Sequence, residues 1–362
     1  MKIVAIVGAR PNFMKIAPLM WEIQRRKDVS AKLVHTGQHY DEKMSHLFFE
    51  QLRIPKPDID LEVGSASHAV QTAEVMKRLE PVLVGERPDV VLVVGDINST
   101  LAGAVVAAKL GVPVAHVEAG LRSGDRRMPE ELNRLMTDAI SDFLFVSERS
   151  GVDNLKREGT PDARVFFVGN VMIDTLFAMR EQFERSTVLD ELGLAAREGD
   201  YAVLTLHRPS NVDDPAVFSE LLGALAELQA KMPIVFPVHP RTRSKMGAID
   251  LPSMPNLILT DPLGYLDFMK LVAHSRMVLT DSGGIQEETT VLKIPCLTLR
   301  SNTERPATIS DGTNILVGTD ANKVQDAWKS VLSGSPIASR VPELWDGKAA
   351  GRILDVLSRH YQ

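Results

Sequence analysis

Three carboxylates and a histidine stand where short apolar runs end. Asp96 follows Val90–Val94 and Gly95, and Glu118 follows Val114–Val117. Glu130 opens a helical pattern after Pro129, and His207 follows Ala202–Leu206. Carboxylates gathered at one site acquire displaced pKa values and can divide acid and base roles between them. Each residue also has a plainer reading. Glu130 and Glu131 lie in a first helical turn, where acidic side chains complement the dipole. Glu118, within His116-Val117-Glu118-Ala119-Gly120-Leu121-Arg122, has Arg122 as an available ion-pair partner. A single histidine is commonly a hydrogen-bonded structural residue, although His239 closes the next apolar run and makes a shared edge.

Two turns have the chemistry of phosphate cradles. Thr280-Asp281-Ser282-Gly283-Gly284 leads from an apolar run into a helix-like Ile285-Gln286-Glu287-Glu288. Glycines let a phosphate approach the backbone, and a helix N-terminus offers unpaired N–H groups. An ordinary strand-to-helix turn with Asp or Ser as cap fits the same letters. Glu288, one turn in, lies where a ribose hydroxyl needs an acceptor. Gly8-Ala9-Arg10-Pro11-Asn12-Phe13-Met14-Lys15 is the second turn. Pro11 suits a first helical turn, Arg10 can fork onto a phosphate, and Lys15 can reach it as a point charge. Neither G-x-G-x-x-G nor a Walker A sequence occurs, which weakens dehydrogenase and ATPase readings. His35 and His39 flank Gly37 outside any expected helix, and Asp58-Ile59-Asp60 reads as a solvated Pro-rich loop, so no metal site is expected.

The elements that must position these residues alternate. Strands are expected at Ile3–Val7, Leu33–Thr36, Val90–Val94, Val114–Val117, Phe143–Val146 and Val165–Val168. A second series covers Ala202–Leu206, Ile234–Val238, Leu257–Thr260, Met277–Thr280, Cys296–Leu299 and Ile315–Val317. Most are apolar without alternation, as strands buried on both faces are. Helix-length stretches separate them, among them Phe13–Lys27, Pro129–Ser141 and Pro215–Met232. The expected fold class is α/β, with two doubly wound parallel sheets. The charged stretch Arg180–Asp200 separates the series, placing a boundary within 170–200. Open α/β sheets bind ligands at the carboxyl ends of their strands, where the chemistry-bearing residues fall.

Composition sets limits. In 362 residues, 44% hydrophobic and 24% charged content supplies a globular core and gives no case for disorder. A net charge of -6 argues against a nucleic-acid partner. The lone Cys296 fits a reducing cytoplasm. The short apolar stretch Ile3–Ala9 runs into Arg10-Pro11, so no secretory signal is expected, and no window suits a membrane span.

Taken together, these segments resemble the non-hydrolysing UDP-N-acetylglucosamine 2-epimerases. The matching pieces include Gly8-Ala9-Arg10-Pro11, Gly37-Gln38-His39, Gly95-Asp96, His116–Arg122, Pro129-Glu130-Glu131-Leu132-Asn133-Arg134, His207-Arg208, Asp281–Glu288 and Thr303-Glu304-Arg305-Pro306. They run in family order from Gly8 to about Gly312. The resemblance implies two Rossmann-like domains facing across a cleft (GT-B-like): residues 1–170 with a C-terminal helix at about 350–362, and a UDP-binding domain over 171–349. It implies reversible C2 epimerisation of UDP-N-acetylglucosamine in the cytoplasm by a homodimer, with a role in polysaccharide biosynthesis. Alternatives within the resemblance are the 2-epimerase of UDP-2,3-diacetamido-2,3-dideoxyglucuronate and a GT-B glycosyltransferase.

The C2 proton of an N-acetylhexosamine is not next to a carbonyl. Loss of UDP from C1 together with that proton gives a glycal, and re-addition from the other face gives the manno epimer. This route needs a base, an acid and cations for the leaving diphosphate, but neither nicotinamide nor metal. The resemblance assigns Asp96, Glu118, Glu130 and His207 to catalysis. It assigns Arg10, Lys15, Arg134, Ser282, Gly283, Gly284, Glu288 and Arg305 to binding the UDP-sugar or UDP. The chain departs from the family pattern at Asn12, at Pro209-Ser210-Asn211 and over Gln38–Met44. The last two regions help bacterial members bind a second, activating substrate molecule, so weak or no activation is expected here.

Overall fold

β-branched runs flanked by Gly, Pro and Asp form the strands of a computed structural model that describes residues 1–38, 48–246 and 254–361. The first sheet holds seven strands: β1 (Lys2–Val7), β2 (Ser30–His35), β3 (Ile59–Asp60), β4 (Val90–Val94), β5 (Val114–Ala119), β6 (Phe143–Val146) and β7 (Val165–Phe167). The second holds six: β8 (Ala202–Thr205), β9 (Ile234–Pro237), β10 (Leu257–Thr260), β11 (Met277–Thr280), β12 (Cys296–Thr298) and β13 (Asn314–Leu316). The spatial orders are β3-β2-β1-β4-β5-β6-β7 and β10-β9-β8-β11-β12-β13. Every pairing is parallel. These are the two Rossmann-like doubly wound sheets that the strand pattern called for.

In both sheets the chain starts at the middle and reverses direction of travel, between β1 and β4 in the first and between β8 and β11 in the second. Loops diverge at such a reversal and leave a crevice at the carboxyl ends. One strand leading there, β4, is wholly apolar: all of Val-Val-Leu-Val-Val is buried.

The chain divides into two compact units, Met1–Ala178 with Glu343–Gln362, and Met179–Pro342. The division falls inside the helix Val171–Glu184. Arg180–Asp200, expected as an aperiodic separator, holds the end of that helix, a short helix Val188–Glu191 and a 3-10 turn Ala195–Arg197. Phe183, Val188, Leu189 and Leu194 are buried among its charges.

The C-terminal helix Ala349–His360 belongs to the first unit and buries Ile353, Leu354 and Leu357. No side chain of its own cap residue closes its start. Instead the Asp174 carboxylate accepts the N–H groups of Ala349 (3.1 Å) and Ala350 (2.7 Å). Arg26 donates to the Gly351 carbonyl and pairs with Asp355.

Two local expectations are corrected. Asp58-Ile59-Asp60 keeps both carboxylates exposed but is not all loop: Ile59–Asp60 is the edge strand β3, Asp58 accepts the Leu33 N–H and pairs with Lys32, and Asp60 pairs with His35. The stretch Pro215–Met232 is two helices, Pro215–Ala224 and Ala226–Lys231, broken at Leu225. Among the described residues no helix is long and apolar enough to cross a membrane.

Candidate active site

In the first unit the polar groups gather at the β1/β4 reversal and the adjoining end of β5. The pairing of β5 with β6 slips between Val117 and Ala119, so Glu118 is an extra residue in a bulge. Its φ is +76°, a left-handed conformation that costs a non-glycine residue about 1–2 kcal/mol. Such strain persists only where the surroundings over-determine it, typically at functional sites. The Glu118 carboxylate is buried and forms an ion pair with the Lys15 ammonium. Gly95 makes room for that ammonium: its φ is +68°, and a Cβ there would lie 2.8 Å from Lys15 Nζ.

Asp96 pairs with Arg134 at 2.5 Å, and its carbonyl accepts from Asn133 Nδ2 at 2.9 Å. Arg134, itself buried, also holds Glu131 at 2.8 Å. Glu131 accepts the N–H groups of Ser123 and Gly124. Burial would raise the Glu131 carboxyl, but these donors and Arg134 outweigh it and hold it below its ordinary value. Of the two acidic residues opening the helix Pro129–Ile140, Glu131 thus ties down a loop. Glu130 is half-buried and pairs with no described cation. The Glu118–Arg122 pair allowed by the sequence does not form, because Arg122 is held by Asp138 (2.8 Å) and Glu158 (2.7 Å). Arg10 opens the helix Arg10–Arg25, whose first turn has neither a side-chain cap nor an acidic residue. The Arg10 side chain, His39 and the rest of 39–44 lie outside the described residues.

In the second unit His207 and Asp281 meet at the β8/β11 reversal. His207 Nδ1 lies 2.8 Å from the Asp281 carboxylate, and the ring is about half exposed while Asp281 is buried. Asp281 also accepts the backbone N–H groups of His207 and Arg208. Burial would raise this carboxyl, yet His207 and those donors hold it below its ordinary value. A buried carboxylate thus fixes the orientation of an accessible imidazole, as in acid–base pairs that move protons.

The helix Gly283–Leu292 starts beside them with no side-chain cap from Ser282. Its first N–H groups have no partner within the helix. Arg305 lies against this start, since a Cβ on Gly283 would come within 2.6 Å of Arg305 Nη1. Arg208, Arg300 and Arg305 face two carboxylates, Glu287 and Glu304. Arginines beside open N–H groups suit an anion. One turn in, burial pushes the Glu288 carboxyl up to about 8, opposed by the Tyr265 hydroxyl and reinforced by Glu287. Its Oε1 is buried without a hydrogen-bond partner among the described residues. No group of three or more His, Cys, Asp or Glu side chains among the described residues is placed to hold a metal ion.

A family profile described as UDP-N-acetylglucosamine 2-epimerase matches residues 21–358. The chain belongs to that family. It is 46% identical over 364 residues to a UDP-N-acetylglucosamine 2-epimerase homolog of Methanococcus maripaludis, covering 99% of each chain. It is 42% identical over 364 residues to the UDP-2,3-diacetamido-2,3-dideoxy-D-glucuronate 2-epimerase of Pseudomonas aeruginosa, covering 99% of this chain and 100% of the relative. The crystal structure of Methanocaldococcus jannaschii UDP-GlcNAc 2-epimerase in complex with UDP-GlcNAc and UDP is similar at a TM-score of 0.91 and 39% identity, covering 99% of this chain and 100% of that one. The family is one of isomerases acting on nucleotide sugars.

Of the cations and carboxylates around these residues, Lys15 and Arg134 stand out in the sequence, while Asp281, Arg208 and Arg300 do not. Asp281 stood in a quoted turn without a role of its own, and it proves to hold His207. Arg208 and Arg300 were not singled out as cations of the second turn. Their position after β8 and β12 was the available signal.

Proposed function

We propose that the chain catalyses reversible C2 epimerisation of UDP-N-acetylglucosamine to UDP-N-acetylmannosamine by elimination of UDP and re-addition to the glycal. One observation carries the reading beyond family membership. Asp96 and Glu118 end the neighbouring strands β4 and β5, and each is held by one buried cation, Arg134 and Lys15. Two carboxylates fixed in place suit removal of the C2 proton and its return from the other face. As the C2–H bond breaks, its electron pair forms the C1–C2 double bond and the C1–O bond pair leaves with UDP. Re-addition reverses each change, so no electrons enter or leave and no hydride acceptor is needed. His207, oriented by Asp281, is the acid for the leaving phosphate. The turn Ser282–Gly284 with Arg305 takes the diphosphate, and Glu288 takes the ribose. Arg10, Lys15 and Arg134 stabilise charge at the sugar end, and Glu130 completes the carboxylate set. In this reading the second unit, Met179–Pro342, is the UDP-binding domain, and the enzyme is a cytoplasmic homodimer supplying N-acetylmannosamine units for polysaccharide.

Proton NMR of UDP-N-acetylglucosamine with the protein in deuterium oxide tests this. The expected result is a mixture of both epimers with deuterium at C2, unchanged by EDTA and without added nicotinamide. Turnover with C2 undeuterated, or transfer of the sugar to an acceptor, would overturn the mechanism. The similarity to the Pseudomonas aeruginosa enzyme favours a second substrate, UDP-2,3-diacetamido-2,3-dideoxyglucuronate. A higher kcat/KM on that uronate would reassign the substrate and keep the chemistry.

A further inference from the structure

Asp138 grips β5 on both sides of its strained residue. It lies buried on the helix Pro129–Ile140. Its Oδ1 accepts from His116 Nδ1 at 2.6 Å, and its Oδ2 accepts the Gly120 N–H at 3.0 Å. His116 and Gly120 are the residues two before and two after Glu118. The His116 ring is fully buried, and its Nε2 donates to the Gly95 carbonyl at 2.8 Å. A carboxylate and a carbonyl are both acceptors, so the ring donates from both nitrogens. The ring thereby links the turn that carries Asp96 to the strand that carries Glu118. Gly120 has a φ of +80°, and a Cβ there would meet the Gly151 carbonyl at 2.5 Å, so the chain beyond the bulge has no slack.

We infer that Asp138 and His116 are positioning residues that hold Glu118 in its left-handed conformation and fix its distance from Asp96. This rests on the reading of Glu118 and Asp96 as the acid–base groups. Asp138 recurs four residues after Arg134 and eight after Glu130, on one face of the helix. Arg134 holds Asp96 from that face, so a single helix sets the bulge through Asp138 and the β4 turn through Arg134. Arg122 adds an ion pair to Asp138. Burial would raise the Asp138 carboxyl, but His116 and Arg122 outweigh it and keep it below its ordinary value.

The test compares Asp138→Asn and His116→Gln with the parent enzyme. Asp138→Asn replaces one acceptor oxygen by a donor, and His116→Gln has a single donor nitrogen in place of two that point to opposite sides. The readouts are kcat, KM for UDP-N-acetylglucosamine, and amide hydrogen exchange across the first unit. Misplacing a reacting group is expected to lower kcat by about 100-fold with KM within about threefold. Exchange should accelerate over residues 116–121 and stay unchanged elsewhere in the unit. Turnover within about threefold of the parent in both variants would overturn the inference. So would exchange accelerated across the whole unit, or failure of both variants to fold, since either assigns the pair to stability alone. Glu118→Gln is measured alongside. Normal turnover there removes the acid–base reading itself, whereas an inactive Glu118→Gln beside native-like Asp138→Asn and His116→Gln removes only the positioning role.

Discussion

Glu288 shows how burial at one residue sets the ionic form a ligand meets. Its carboxyl is pushed up to about 8, so at pH 7 the free protein holds it protonated. Ribose hydroxyls are donors, and two of them facing one carboxyl favour its ionised form. UDP binding at pH 7 should therefore expel up to about one proton from this group. Affinity contributed by Glu288 should rise with pH up to about 8 and level off above it. Calorimetry of UDP binding at pH 7 in two buffers of different ionisation enthalpy measures the release. The Glu288→Gln variant should lose it, and equal release in both proteins would remove Glu288 from the ribose site. Two other site carboxylates each have a cation beside them: Lys15 for Glu118 and Arg134 for Asp96. Removing one partner of such a buried pair leaves the other charge uncompensated.

At the scale of elements, the strands were legible because burial on both faces leaves an unbroken apolar run, as in Val90–Val94 and Met277–Thr280. β3 was not, since its two residues are too few for a pattern and sit after a Pro-rich stretch. The helix Val171–Glu184 was not legible, because its end is charged and runs into the aperiodic stretch Arg180–Asp200. Strand ends pointed to Asp96, Glu118 and His207. The contacts Lys15–Glu118, Asp138–His116 and Asp281–His207 join residues far apart in sequence, so only the fold could show them. The docking of the C-terminal helix belongs to the same class, and it carries a pH dependence. Burial pushes Asp174 up to about 6, against the pull of the Ala350 and Ala349 N–H groups. A carboxyl raised in the folded state favours folding when protonated. That contribution is complete below the ordinary value of 3.8 and is lost as pH rises through about 6. The full loss is about 3 kcal/mol, and roughly half of it falls between pH 5 and 7.5. Between those two pH values the parent should therefore lose on the order of 1 kcal/mol more stability than Asp174→Asn. Chemical denaturation at each pH measures the difference, and parallel losses would show that the carboxyl stays ionised in the folded protein.

At the scale of the whole molecule, the departures from the family pattern bear on regulation. Activation by substrate requires a second site whose ligand prefers the active state, and its strength is that differential affinity. In this chain the segment after His207-Arg208 is the short helix Pro209–Val212. Asn211 is buried and turned to its own sheet, donating to Asp281 and to the Leu299 carbonyl. Pro209 and Ser210 are the exposed residues of that turn, and neither carries a charge. The other region that the family resemblance ties to activation in bacterial members, Gln38–Met44, also departs in sequence. Losing one or two charged contacts is enough to remove a coupling of about 1–3 kcal/mol while leaving the chemistry intact. Epimerisation starting from UDP-N-acetylmannosamine should then begin at its full rate, with no lag and no need for the gluco isomer. Initial rates against substrate should follow a hyperbola. A reverse reaction that waits for added UDP-N-acetylglucosamine, or a sigmoidal rate curve, would show that other residues of this chain build a second site.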